Sequence, residues 1–351
     1  MGRNYSWGHF ISSTRVLAIC ALASALVLSA GRSDQAKAQD FYKGKTLNIV
    51  VGNSPGGGFD ANGRLLSRHI ARFIPGKPEV IVTNMPGASS QTAVQYLDTT
   101  APKDGTAITI FNFGLIGESL LIPSRVKLDF RKYNWIGSIG MDIAVCYMWH
   151  AKGAKTLADV KALPNGVVMG LTAVGTSNDV NQRIMSKIFG VKLKQVSGYP
   201  GSAELRLATE RGELDGDCGA WGAVPVEWLQ GNKIYPFLRT APILPPDLPK
   251  EVPYAVDIAP TQMDADVIRF LIASVEVGRP FVASLSVPPE RIRILRDAFN
   301  AAMKDPLFIA DAEKLRLPVM PRSGEEALKV VETIYATKPD VIEAARKLAG
   351  D

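Results

Sequence analysis

The sequence predicts an α/β fold built as two lobes with a cleft between them, on three observations. Short β-branched runs alternate with helical stretches along most of the chain. Twice a strand end runs through proline and glycine into a helix, at "IVVGNSPGGGFDANGRLLSRHI" (49–70) and at "TNMPGASSQTAVQYL" (83–97). Two breaker-rich stretches, 133–142 and 242–260, bracket a central block with its own strands and helices, as expected of a chain that leaves one α/β unit, builds a second and returns.

At the N-terminus, Arg3 and Arg15 precede an apolar run at 16–30, and Ala36-Lys37-Ala38 follows, the pattern of a secretory leader cleaved after Ala38. The run is short of the roughly 20 residues that a membrane anchor needs, and Ile19 before Cys20 is bulky where a lipoprotein leader carries a small residue. Removing residues 1–38 leaves 313 of 351, enough for two domains. The net charge of +6 falls to about +3 with no basic run, which argues against nucleic acid as a partner. A periplasmic location is expected.

Strands are predicted at 47–52, 80–84, 107–113, 143–149, 167–172, 194–197 and 234–239, in mostly parallel sheets. Helices are predicted between them at 61–74, 88–98, 178–189 and 203–211. Beyond these the chain turns helical: Pro288-Pro289 opens a helix whose Ile292, Leu295, Phe299 and Met303 share a face, Ser323 with Glu326 makes a capping box, and Pro339 begins a last helix. No internal repeat is evident.

The glycine loop outlines a dinucleotide fingerprint, G-x-G-x-x-A at Gly56, Gly58 and Ala61. Asn84 stands where an acid should grip the ribose, Glu79 precedes the second strand instead, and no Lys-Ser/Thr pair follows the glycines. No cofactor is therefore predicted. Glycines let backbone approach a ligand, and helix-start amides favour an anion. The competing reading is that the glycines only turn the chain and Asp60 only caps the helix. A second such loop at 83–97 favours a carboxylate cradle.

Catalytic and metal readings are weaker. His69 and His150 belong to no metal-spaced cluster, there is no G-x-S-x-G elbow, and Cys146 and Cys218 lack an evident base, so a secreted hydrolase is the lesser alternative. Once Cys20 leaves with the leader, Cys146 and Cys218 form an even pair. A disulfide and two buried free thiols both remain open.

Five segments in order, "NSPGGGFDANGRLLSRHI", "NMPGASSQTAVQYL", "APKDGTAITIFNFG", "GLTAVGTSND" and "VSGYPGSAELRLATERGELDG", resemble the extracytoplasmic solute-binding receptors of tripartite tricarboxylate transporters, the Bug receptors. The resemblance runs from about Tyr42 to the C-terminus. It implies a monomer with the two-lobed Venus-flytrap fold of type II periplasmic binding proteins, with lobes at 40–140 plus 270–351 and at 141–269. It also implies a small carboxylate ligand handed to membrane subunits of a tripartite transporter, or read by a signalling partner. Ligand contacts implied in the first lobe are Pro55, Gly56, Gly57, Gly58, Phe59 and Asp60, then Ala88 and Ser89 at a helix start, then Phe113. In the second lobe they are Thr172, Gly175, Thr176, Ser177, Tyr199, Gly201 and Trp221. Asp215 and Asp217 read as structural.

The chain departs from the family at Phe59, where many members carry Thr or Ser. With Phe113 and Trp221 it gives either an aromatic wall for a ring-bearing acid or core packing. Asp60 either lies near the pocket or caps its helix. No pair of pocket arginines is evident, so no charge clamp is expected.

Overall fold

The structure, a computed structural model, describes Gly2 and residues 41–141 and 143–349. Apart from Gly2, the leader expected over 1–38 lies outside the described residues. The chain begins with β1 (Thr46–Val51), α1 (Gly58–Ile70), β2 (Glu79–Asn84), α2 (Gln91–Thr99), β3 (Ala107–Ile110) and α3 (Gly114–Leu121). β1 pairs in parallel with β2 and β3. Its Leu47, Ile49, Val50 and Val51 are fully buried, the near-continuous apolar run expected of a strand covered on both faces.

After β4 (Tyr133–Ser138) the chain crosses to a second sheet. There it makes β5 (Ala144–Trp149), α4 (Leu157–Ala162), β6 (Val167–Leu171), α5 (Ser177–Arg183), β7 (Leu193–Ser197), α6 (Ser202–Glu210), β8 (Gly216–Ala220), α7 (Val226–Gln230) and β9 (Ile234–Arg239). It returns to the first sheet through α8 (Gln262–Val277) and β10 (Pro280–Ser284). The last elements are α9 (Pro289–Ala302), α10 (Pro306–Lys314), β11 (Arg322–Ser323), α11 (Gly324–Tyr335) and α12 (Pro339–Ala349). The strand orders are β11-β4-β10-β3-β1-β2 and β7-β6-β8-β5-β9.

Both sheets are mixed, which corrects the expectation of mostly parallel strands. β10 runs antiparallel to β3 and β4, and β5 runs antiparallel to β8 and β9. A parallel neighbour requires a crossover within one sheet. β5 and β10 are reached from the other sheet, so that constraint does not apply to them. α8 packs against α3, α11 and α12, and also against α5 of the second sheet's side. β4, "YNWIGS", escaped detection because its Asn, Gly and Ser read as turn residues.

The main apolar core runs through the interior of both sheets. The second sheet adds one cluster around Val145, Tyr147, Trp221 and Trp228 and another of Leu205, Ala208 and Leu214. Cys146 on β5 and Cys218 on β8 are direct register partners, fully buried and bonded to each other. The Ser323–Glu326 capping box at the start of α11 forms in both directions.

Candidate functional site

A cavity of about 330 Å³ lies between the two sheets, at the carboxyl ends of the parallel strands. The first sheet contributes Gly52, Asn53 and Ser54 after β1, Gly57, Gly58 and Phe59 at the start of α1, Pro86, Gly87, Ser89 and Ser90 after β2, and Phe113 after β3. The second contributes Thr172, Ala173, Thr176, Ser177 and Asn178 around the start of α5, Tyr199, Pro200, Gly201 and Ser202 before and at the start of α6, and Ala220 at the end of β8. Arg279, just ahead of β10, also lines it.

Three helices, α1, α5 and α6, begin at this cavity. Their N-cap residues Gly57, Thr176 and Gly201 make no side-chain capping bond. Away from the cavity, α4, α8, α10 and α11 are capped by Thr156, Thr261, Asp305 and Ser323. First-turn amides have no intrahelical acceptor and carry the positive end of the helix dipole. The cavity thus receives first-turn backbone donors of the kind that side chains satisfy at α4, α8, α10 and α11, while α7 and α9, which follow Pro225 and Pro288 away from the cavity, likewise have no side-chain cap; several such donors at one place favour an anion.

The loops ahead of α1 and α5 share one construction. Gly56 (φ +86°) donates its N–H to Asp60 Oδ2 at 2.9 Å, and Gly175 (φ +76°) donates to Asp179 Oδ2 at 2.8 Å. Both backbones are left-handed, a conformation glycine adopts freely. Each aspartate then meets an arginine one turn on: Arg64 Nε at 2.9 Å from Asp60, Arg183 Nη2 at 2.5 Å from Asp179. The segments read "GGGFDANGR" (56–64) and "GTSNDVNQR" (175–183), a G-x-x-x-D-x-x-x-R repeat that the sequence reading overlooked.

Asp60 neither caps α1 nor lines the cavity. Burial opposes its ionisation, but Arg64, the Gly56 amide and Asn84 outweigh it and hold the carboxyl below the usual range. Asn84, which stands where a ribose-gripping acid would be, donates to Asp60 Oδ1 at 2.8 Å and to the Asn53 carbonyl at 2.9 Å. Together they fasten the glycine loop to the end of β2. On the other side, Arg183 Nη1 reaches Glu118 Oε1 on α3 at 3.2 Å. Burial pushes the Glu118 carboxyl above its ordinary value despite that arginine. Nearby, Asn112 Nδ2 donates to the Val174 carbonyl at 3.2 Å, and a Cβ on Gly114 would stand 2.1 Å from the Gly175 carbonyl oxygen. The backbones of the two sides touch there.

Of the residues implied by the sequence, Gly57, Gly58, Phe59, Ser89, Phe113, Thr172, Thr176, Ser177, Tyr199 and Gly201 come together at the cavity. Pro55, Gly56, Asp60, Ala88, Gly175 and Trp221 do not line it. Gly56 and Gly175 shape their loops through the aspartate bonds just described. Ala88 was expected in a helical first turn, but Ala88, Ser89 and Ser90 are left-handed (φ 45°, 54° and 82°) and α2 begins only at Gln91. Ser90 Oγ accepts from the Asn112 N–H at 3.0 Å and donates to Asn53 Oδ1 at 3.1 Å, which ties this turn to the ends of β1 and β3. Trp221 packs in the cluster with Tyr147 and Trp228 and donates from Nε1 to Asp247 Oδ1 at 2.9 Å.

Phe59 and Phe113 do face each other, with centroids 6.2 Å apart at 47°. Their third companion is Arg279, whose guanidinium carbon lies 4.5 Å from the Phe59 centroid. No clamp of two arginines forms among the described residues, but this one belongs to the cavity and the sequence reading missed it. Its backbone explains the placement: the Arg279 N–H donates to the Gly140 carbonyl at 2.8 Å and Ser138 Oγ at 3.0 Å, where the chain passes between the sheets. That pairing has no local sequence signature.

The remaining titratable candidates hold structure. Asp215 accepts from the Val168 N–H at 2.8 Å and pairs with Lys152 at 2.7 Å. Asp217 is buried under Asn178, whose Nδ2 donates to its Oδ1 at 2.5 Å; burial pushes its carboxyl up to about 6, against the Cys218 N–H and Asn178. His69 bonds Asp311 at 2.9 Å, joining α1 to α10. Among the described residues no group of three His, Cys, Asp or Glu could hold a metal ion, and no helix is long and apolar enough to cross a membrane.

No protein-family model and no curated protein matches the chain. Solved structures do match. A TctC solute-binding protein from Polaromonas is 16% identical with a TM-score of 0.62, over 88% of this chain and 99% of that one. MatC from Rhodopseudomonas palustris, solved with bound malate, is 17% identical with a TM-score of 0.65, over 87% and 98%. An R. palustris protein solved with adipate is 18% identical with a TM-score of 0.64, over 86% and 97%. The chain has the fold of a periplasmic solute-binding protein. In this solute-binding fold two lobes face each other across a cleft, and the 330 Å³ cavity, lined from both sheets, lies in it.

Proposed function

We propose that the protein is a monomeric periplasmic receptor that captures a small carboxylate-bearing metabolite in the inter-lobe cavity and delivers it to membrane subunits of a tripartite transporter. One observation carries this reading: three helix N-termini without side-chain caps meet at one cavity that an arginine also lines. The solutes held by similar folds, malate and adipate, are organic acids. The similar TctC structure is a solute-binding protein, in keeping with a binding rather than catalytic role. The leader expected at 1–38 supports export.

In this mechanism the carboxylate settles first on the α1 amides and the hydroxyls beside them. Hinge motion at the two crossings then brings Thr176, Ser177 and Tyr199 onto the solute. Closure is stabilised by the contacts that only the closed form makes.

The test is a thermal-shift screen of residues 39–351 against mono-, di- and tricarboxylates, aromatic acids and nicotinamide cofactors, since a ligand bound only by the folded state raises the melting temperature. A rise with one acid class is expected. A rise with nicotinamide cofactors alone would overturn the reading. Gly57→Val is expected to weaken binding by about tenfold or more with the chain still folded; a Cβ at Gly57 meets only the Ser54 carbonyl oxygen, at 3.8 Å. Titration calorimetry checks it, and retained affinity would count against the cradle.

A further inference from the structure

Near the Phe113 end of the cavity the two sides bear on each other. Asn112 Oδ1 accepts from the Gly114 N–H at 3.1 Å, and Asn112 Nδ2 donates across to the Val174 carbonyl at 3.2 Å. Gly114 and Gly175 meet backbone to backbone: a Cβ on Gly114 would stand 2.1 Å from the Gly175 carbonyl oxygen, and one on Gly175 would stand 3.2 Å from the Gly114 Cα. One turn along α3, Glu118 pairs with Arg183 at 3.2 Å, the two side chains 9% and 14% exposed. None of Gly114, Glu118, Gly175 and Arg183 lines the cavity, but the chain neighbours Phe113 and Thr176 do. Movement at this contact therefore moves the cavity wall on both sides.

The contact also lies beside a crossing between the sheets. β10 pairs antiparallel with β3, Phe281 with Ile110 and Val282 with Thr109, so the chain entering β10 runs alongside the end of β3, from which Gly114 follows. Behind the contact, α8 packs against α3 on one side and α5 on the other. A hinge axis passes near the segments that cross and near the surfaces that stay in touch, and both are found here. Close-packed backbones transmit a displacement instead of absorbing it.

We propose that the Gly114–Gly175 contact is the fulcrum on which the lobes close, and that the Glu118–Arg183 pair tethers it. Gly114 and Glu118 are positioning residues: they set the aperture of the cavity, and through it the affinity, without touching the solute. Two glycines let the lobes approach closely enough for Phe113 and Thr176 to line one cavity. The buried pair resists separation, because parting it leaves charge without its partner in a desolvated place. The inference rests on the receptor reading, in which closure captures the solute.

Gly114 opens α3 without a left-handed backbone, so alanine suits its conformation, and the three atoms nearest its Cβ all belong to Gly175. Nitroxide labels on Glu79→Cys and Gln195→Cys, exposed positions on the edge strands β2 and β7, report the distance between lobes in residues 39–351, whose native cysteines are buried and bonded to each other. By pulsed dipolar spectroscopy, Gly114→Ala is expected to lengthen that distance by about 2 Å or more. In calorimetric titrations, malate or adipate, where the wild type binds it, should lose about tenfold in affinity, because the closed form is less populated. Glu118→Gln should broaden the distance distribution and lower affinity about threefold. It should add little beside Gly114→Ala, which has already parted the pair, a non-additivity that two independent structural roles would not produce. Where Gly114→Ala fails to fold, Glu118→Gln carries the test.

A folded Gly114→Ala chain with the wild-type distance, or Glu118→Gln with the wild-type distribution, overturns the fulcrum and leaves the receptor standing. No acid bound by the wild type, here or in the thermal screen, overturns the receptor reading, while the label distances still decide whether the lobes pivot at Gly114.

Discussion

Gly56, Asp60 and Arg64 on one side of the cavity make the same contacts as Gly175, Asp179 and Arg183 on the other, yet the two arginines end in different surroundings. The Arg64 side chain is 45% exposed and finishes on Asn84 in its own sheet. Arg183 is 14% exposed and finishes on Glu118, a residue of the opposite side. The same three residues therefore serve as a local fastening in the first loop and as a tie between the lobes in the second. Water screens the first ion pair and leaves the second strong and costly to disturb. The second sheet alone also carries a covalent link.

The largest expected effect separates the sheets through that link. Replacing both Cys146 and Cys218 by alanine should lower stability by about 4 kcal/mol, because the bond closes a loop with a sequence separation of 72. Denaturant unfolding measures it, and a loss well under 1 kcal/mol would mean the cross-link constrains little. Next comes Asp179→Asn, expected to cost about 3 kcal/mol because Arg183 stays buried with Glu118 as its remaining acid. Its binding affinity should fall as well, since the loop it fastens touches both sides.

A pH comparison follows. The folded Asp217 carboxyl at about 6 lies above its unfolded value, so the folded state holds the extra proton between about 4 and 6, and stability falls as pH rises through that window. The slope is at most one proton, about 1.4 kcal/mol per pH unit, and Asp217→Asn should remove it while keeping an oxygen acceptor for Asn178 and Cys218. Asp60 has the opposite sign: its folded value is lowered, so its contribution is present above the unfolded value and lost as pH falls through the folded one. Melting curves from pH 3 to 8 distinguish the two, and a slope that survives Asp217→Asn would refute the assignment. The smallest effect is Asp60→Asn, about 1 kcal/mol, because its arginine is solvated. If Asp60→Asn proves as costly as Asp179→Asn, the contrast between a local and a bridging device fails.

Much of this was legible in the chain because it is local. β1, β2 and β6 follow from β-branched runs, the Ser323 capping box from a three-residue spacing, and the turns at Gly56 and Gly175 from residues that tolerate positive φ. The repeat G-x-x-x-D-x-x-x-R is local as well, but its intervening residues differ between the two loops, so the shared spacing does not stand out in the chain.

Other features belong to the tertiary structure. Trp221 follows a strand whose end lines the cavity, but its ring packs beside Tyr147 and Trp228 because a large apolar surface and an indole N–H are both satisfied there, the latter by Asp247. Ala88, Ser89 and Ser90 have good helical neighbours yet turn left-handed, held by Ser90 between Asn53 and the Asn112 amide. The sequence by itself determined the alternation of strands and helices, the two glycine turns and the donor-rich helix starts, since each depends on residues a few positions apart. Only the fold decided that Arg279 lies over Phe59 and that Arg183 reaches Glu118, because side chains distant in sequence meet only after the crossings between the sheets have set their positions.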